Sequence, residues 1–357
     1  MSNMFRSDIR RVAKASFVLA ISIVIMLSIN VRAGIVTKES STLPYQMYRA
    51  TAVWTGDHAF IFGGRIEAEQ LDTIIKFNPV TKEVETLSTK LPSSRVSMSS
   101  VWTGQYAYIF GGDHSGHKLN DILRFDPATS MIEEMQEKLP MELVGSSAVW
   151  FNSKAYIFGG HNNTTFSDMI FIYDPSLGTI STAPMSLPTP RAGTATFTDG
   201  IHIYIFGGRF LQDILTDIVK FDPMTDSIEV MQSQLPEPRY HISSAWTGEY
   251  AYIFGGSNGS VACNEILRFN PSNGEVRILG ARLPGPRERT SAVWTGDVAY
   301  IFGGQHGGTS YSDILAFDPE GVEEQDDIAP YIVIAVLLAL LAVIMLASFL
   351  MERKREK

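Results

Sequence analysis

The 357-residue chain has a single cysteine, Cys263. That excludes an internal disulfide framework and any zinc centre built on several thiolates. Basic charge is also scarce: 29 Lys and Arg stand against 38 Asp and Glu, a formal net charge of −9. Nucleic-acid binders neutralise phosphates with a basic patch, so no nucleic acid is expected as a partner. Only 19% of residues are charged, whereas the chain holds 29 Gly, 17 Pro, 5 Trp, 13 Tyr and 20 Phe. Such a mix describes many turns around a large apolar core rather than disorder.

Two apolar runs bracket the chain. Arg6, Arg10, Arg11 and Lys14 precede the uncharged run 15–31, with Val31 and Ala33 at −3 and −1 of a cleavage position before Gly34. Residues 1–33 therefore read as a signal peptide or signal anchor. Residues 331–351 form a second run without charge, followed by the basic tail 352–357. At about 1.5 Å per residue it spans roughly 31 Å, enough for one transmembrane helix. Basic residues flank the outer side of both runs, which places both flanks in the cytoplasm and everything between them outside the cell membrane. The intervening residues 34–329 carry 20 Lys and Arg against 35 Asp and Glu, with an acidic linker at 320–330.

Between the runs lies one unit repeated six times. Gly-Gly recurs every 48 residues from 63–64 to 303–304, and Leu-Pro from 43–44 to 283–284. An aromatic-Asp/Asn-Pro triplet keeps the same step from Phe77-Asn78-Pro79 to Phe317-Asp318-Pro319. Within the second repeat, 97–102 reads as a strand, Thr103-Gly104 as a tight turn and 105–110 as a second strand. A loop of about ten residues leads to a third strand at 122–125, and Asp126-Pro127 turns into a fourth at 130–135. The second strand, with Tyr106-Ala107-Tyr108-Ile109-Phe110, is apolar on both faces and must be covered on both. Stacked four-stranded sheets in a closed ring meet that need.

These motifs resemble the kelch family of β-propellers: Gly-Gly after an aromatic-rich strand, the aromatic-Asp-Pro turn, and Pro-x-x-Arg opening a repeat. The resemblance implies an all-β, six-bladed kelch-type propeller over 34–319. One departure concerns tryptophan, which the family often places in the fourth strand. Here Trp54, Trp102, Trp150, Trp246 and Trp294 end the first strand, with Thr198 in that place in repeat four. A wedge between blades is the role expected of them.

The last repeat stops after its third strand, while residues 34–39 precede the first. The N-terminal strand is therefore expected to complete blade six, which removes an open sheet edge. Alternating strand direction then puts both chain ends on the face of the first–second and third–fourth turns. The other loops form the opposite face, away from lipid. On that face the candidate ligand-binding residues are Arg65, Arg95, Arg191, Arg209, Arg239, Arg287, His114, His161 and His306. Arg95, Arg191, Arg239 and Arg287 share one slot, three residues after the proline of Leu-Pro, where Met47 and Leu143 stand in the other two repeats. A guanidinium there suits either a structural bond to loop groups or an anionic ligand. The resemblance implies that this face is the one commonly used for ligands.

Asn162, Asn163 and Asn258 match the N-glycosylation pattern. No metal site, cofactor or catalytic residue is expected. The function expected is a membrane-anchored surface module binding a protein or glycan, with an anionic group on the ligand. The competing reading is a sugar-modifying enzyme of the sialic-acid epimerase type, using the arginines for a substrate carboxylate and Glu142, Glu237 or Glu288 as acid or base.

Overall fold

The computed structural model of the chain describes residues 34–321. The expected signal segment 1–33, membrane run 331–351, basic tail and most of the acidic linker lie outside the described residues. Among the described residues no helix is long and apolar enough to cross a membrane.

Six antiparallel four-stranded sheets account for the repeats. In blade two the inner strand is Ser99–Trp102, followed outward by Ala107–His114, His117–Asp126 and Met131–Lys138. The second and third strands run on past Gly111-Gly112 and pair as a hairpin to His114↔His117, further than the sequence pattern predicts. In blades one, four and six the same loop forms a separate two-stranded ribbon, for example Arg209–Phe210 with Asp213–Ile214. The third-to-fourth turn is held as an Asx turn, with Asp126 Oδ1 accepting from the Ala128 amide at 2.9 Å in blade two. The expected closure is present: Ile35–Thr42 pairs with Asp313–Asp318 as the outer strand of blade six, Val36 opposite Phe317. Lys38 pairs with Asp313, and Lys82 of blade one bonds Glu39 at 2.6 Å, so the borrowed strand is fixed from both sides.

The Gly-Gly step has a steric cause. In every blade the first glycine lies at φ between 52° and 60°. A Cβ added there would come within 2.2–2.5 Å of a carbonyl oxygen in the following blade, such as Arg191 O opposite Gly159. The second glycine donates its amide to that same carbonyl, as Gly160 does to Arg191 O at 2.8 Å. A side chain at the first position would break the seam between blades.

Apolar burial lies between blades rather than within one. Each cluster joins two neighbours; Phe60, Phe62 and Ile74 of blade one pack with Ala107, Ile109 and Phe125 of blade two. Every tryptophan wedges into such a seam, Trp102 into this one and Trp54 into the seam of blades six and one. Between blades three and four, where Thr198 replaces tryptophan, Phe151 fills the seam instead. Its hairpin turns through Asn152 and Ser153, both at positive φ, the geometry that suits a two-residue connection.

Candidate functional site

The inner strands surround a cavity of about 1040 Å³ at the centre of the ring. Its shaft is lined by hydroxyls that bond from blade to blade: Thr51 Oγ1 to Ser100 Oγ at 2.7 Å, Ser147 Oγ to Thr194 Oγ1 at 2.7 Å and Ser243 Oγ to Thr290 Oγ1 at 2.8 Å. Small residues at these positions keep the shaft open and polar.

A backbone collar closes the ring at the mouth. Residues 49, 97, 145, 193, 241 and 289 recur at one period, and all six lie at φ between 54° and 72°. Each donates its amide to the carbonyl of the preceding member: Ser97 to Arg49, Gly145 to Ser97, Gly193 to Gly145, His241 to Gly193, Arg289 to His241 and Arg49 to Arg289. All six bonds measure 2.7–2.9 Å. The side chains are not symmetric. Blades two to four present Ser97, Gly145 and Gly193, whereas blades five, six and one present His241, Arg289 and Arg49. Left-handed backbone disfavours residues with a Cβ, so three bulky basic side chains are held where blades three and four use glycine.

The cations around this half are only partly compensated. Glu288 accepts from Arg289 at 2.8 Å, from Gln305 at 3.0 Å and contacts His241 Nδ1 at 3.3 Å. Burial raises the Glu288 pKa, but these donors outweigh it and hold the carboxyl at about 2. Burial lowers the His241 imidazole to about 4, against the pull of Glu288, so it is neutral at physiological pH. Burial also lowers Arg49, with repulsion from Arg289 and Arg65 adding to it, to about 10. The buried Nε atoms of Arg49 and Arg289 have no hydrogen-bond partner. Among the described residues no carboxylate pairs with Arg49, Arg65 or Arg209. Arg65 Nε donates to Glu67 O at 2.7 Å, and Arg209 lies 5.9 Å from the Phe166 ring and 5.5 Å from Tyr240. Lys118, also at the cavity, pairs with Asp113.

Of the residues expected on this face, Arg65, Arg209 and His161 line the cavity. Burial, with Lys118 and Arg209 nearby, lowers the His161 pKa. His114 is tied by Nδ1 to Ser94, at 2.8 Å from its carbonyl, and His306 lies in the ribbon of blade six; neither lines the cavity.

The four arginines of the shared slot are corrected to a structural place. Arg95, Arg191, Arg239 and Arg287 are 0–1% exposed. Each guanidinium pairs with an acid 26 residues on, Asp121, Asp217, Glu265 or Asp313, and donates to the carbonyl of the first glycine of its own blade. They staple two loops of one blade and present nothing to a ligand. Arg49, Arg289, His241 and Tyr240 are the contributors missing from the expected set. The signal for three of them was the slot two residues further on, where repeats five, six and one carry His, Arg and Arg.

Asn162 and Asn258 spend Oδ1 on capping their own turns, while the Asn163 residue is exposed. Residues 255–259 read Gly-Gly-Ser-Asn-Gly, a match to the Gly-x-Ser-x-Gly elbow of hydrolases. There Ser257 Oγ donates to Val261 O at 3.2 Å and accepts from the Gly259 amide, so it serves its own loop. No group of three metal-ligating side chains forms among the described residues.

A family model described as the KLHDC2/KLHL20/DRC7 Kelch-repeats domain matches residues 22–176 and, in a second pass, 145–324. Among curated proteins, none matches the chain.

Proposed function

The chain belongs to the kelch-repeat family, and we propose that it is an interaction module whose channel mouth captures an anionic group of a protein or glycan partner. The collar carries this reading. Three guanidinium groups without carboxylate partners, Arg49, Arg65 and Arg209, face one cavity in a domain whose overall charge is strongly acidic. Two of the collar cations sit on backbone that costs energy to occupy, which is the expected signature of side chains kept for binding. Planar guanidinium forks suit carboxylate or sulfate oxygens, and the half-buried setting strengthens each bond.

The chain enters and leaves the propeller at Gly34 and Pro319, beside the pair Ile35↔Asp318 and opposite the cavity mouth. A tether through the apolar runs 15–31 and 331–351 leaves the mouth facing away from lipid. Protease added to intact cells then reaches the 162–165 and 258–261 loops and spares the tail 352–357; cleavage of the tail alone refutes the tether.

A sugar-modifying enzyme is the weaker reading. Its strongest feature is Glu288 beside His241, but Glu288 is ionised and fully committed to three donors, so it has no proton to give near neutral pH. Glu142 and Glu237 are exposed and lie off the cavity. The test of the binding reading is titration of the full-length chain with a polyglutamate peptide. Arg49→Gln with Arg209→Gln should weaken binding about tenfold or more, and added salt should weaken the wild type. Equal affinity in the variant removes the proposal.

A further inference from the structure

Arg209 reaches the mouth from the ribbon of blade four, and that ribbon also carries an apolar edge. Leu211 at its turn is 58% exposed, and Val261 in the corresponding loop of blade five is 56% exposed. The two loops touch, since a Cβ on Gly259 would collide with Ile214 Cδ1. On the other side Phe210 meets Phe166 of blade three edge-on at 5.8 Å. An apolar arc therefore runs over blades three to five, adjoining Arg209.

The repeat shows that this arc is not a by-product of the scaffold. At the positions matching Leu211 the other blades carry Glu67, Ser115, Asn163, Gly259 and Gly307. At those matching Val261 they carry Glu69, His117, Thr165, Asp213 and Thr309. Leu211 is also held at φ 54°, where a turn favours glycine or asparagine. An isobutyl group thus stands in water, on strained backbone, where every sister loop has a polar residue or glycine.

We propose that this rim receives an apolar side chain of a protein segment whose carboxylates enter the cationic mouth. The proposal rests on the anion-binding reading above and narrows it to an acidic peptide carrying an apolar residue. Aliphatic Leu211 and Val261 gain by excluding water from another apolar side chain. They offer no aromatic platform for a sugar ring and no donor for its hydroxyls.

The experiment selects random octapeptides on phage against the full-length chain, alongside Leu211→Ser/Val261→Ser, with a sialylated-glycan array as a second arm. Wild type should enrich peptides that combine Asp or Glu with Leu, Ile, Met or Phe. The double variant, with its melting temperature unchanged, should enrich acids alone and bind a wild-type-selected peptide about ten- to a hundredfold more weakly. Acidic peptides without apolar preference, or sialylated glycans with no peptide selected, overturn the rim and leave the anionic mouth standing. Peptides without acidic residues overturn both.

Discussion

Replacing Arg49 by glycine should make the protein more stable and a poorer binder. Arg49 occupies φ 61°, and an L-residue pays about 1–2 kcal/mol there. Glycine removes that cost but gives back roughly 0.5–1 kcal/mol through the greater freedom of its unfolded chain. The charge adds a second gain. Burial and the neighbouring Arg289 and Arg65 lower the Arg49 pKa from 12.5 to about 10. Below pH 10 the side chain is charged in both states, so folding bears the whole cost of the shift; the cost fades as pH rises from 10 towards 12.5. At about 1.4 kcal/mol per unit the full cost is roughly 3 kcal/mol, and water in the mouth screens it to about 1–2 kcal/mol. The net expectation is a gain of about 1–2 kcal/mol, or roughly 2–8 °C in melting temperature by calorimetry. Ser97→Gly, at φ 55° on the same collar and without charge, should be nearly neutral and isolates the electrostatic part. Polyglutamate titration supplies the other half of the measurement. A variant less stable than wild type, or one binding the peptide equally well, refutes the reasoning.

The strand pattern, the blade number and the borrowed closing strand were legible because each follows from short-range chemistry repeated at one period: a turn, a glycine pair, an alternation. Val36 at one period before Val84 placed the closing strand before any coordinate did. The role of the arginine slot was legible too, but only jointly with a second position. Arg95, Arg191, Arg239 and Arg287 each have an acid 26 residues on, while Met47 and Leu143 have Thr73 and Met169 there. Charge at one position implies charge at the other, which is what a buried pair requires, since either ion alone in the interior is costly. Reading the slot by itself leaves its arginines free to be assigned to a ligand. The collar was hidden for a different reason. It is a backbone feature, and its residues Arg, Ser, Gly, Gly, His and Arg share a conformation without sharing chemistry, so no composition rule marks them as one ring.

Three further outcomes follow from the same geometry. Between pH 6.5 and 4 the wild type should lose roughly 2–3 kcal/mol, because the unfolded chain protonates His241 while the folded one keeps it neutral down to about 4; denaturant melts of His241→Gly should lack this step, and an unchanged slope argues against a neutral histidine. Gly159→Ala, whose Cβ would crowd Arg191 O, should cost more than 2 kcal/mol, and a melting temperature equal to wild type contradicts the close seam. The buried pair itself gives the sharpest contrast. Arg191→Ala leaves Asp217 without its two 2.8 Å partners and should destabilise by about 3–5 kcal/mol. Arg191→Leu combined with Asp217→Met reproduces what blade three already has in Leu143 and Met169, so the double variant should recover most of that loss. Leu143 is fully buried, which shows that the loop geometry accepts an aliphatic side chain in the arginine's place. A favourable coupling of about 2 kcal/mol or more in the double-mutant cycle is therefore expected. If the double variant is instead as unstable as the two single changes summed, blade four needs the charge itself, and the equivalence drawn between the blades is wrong.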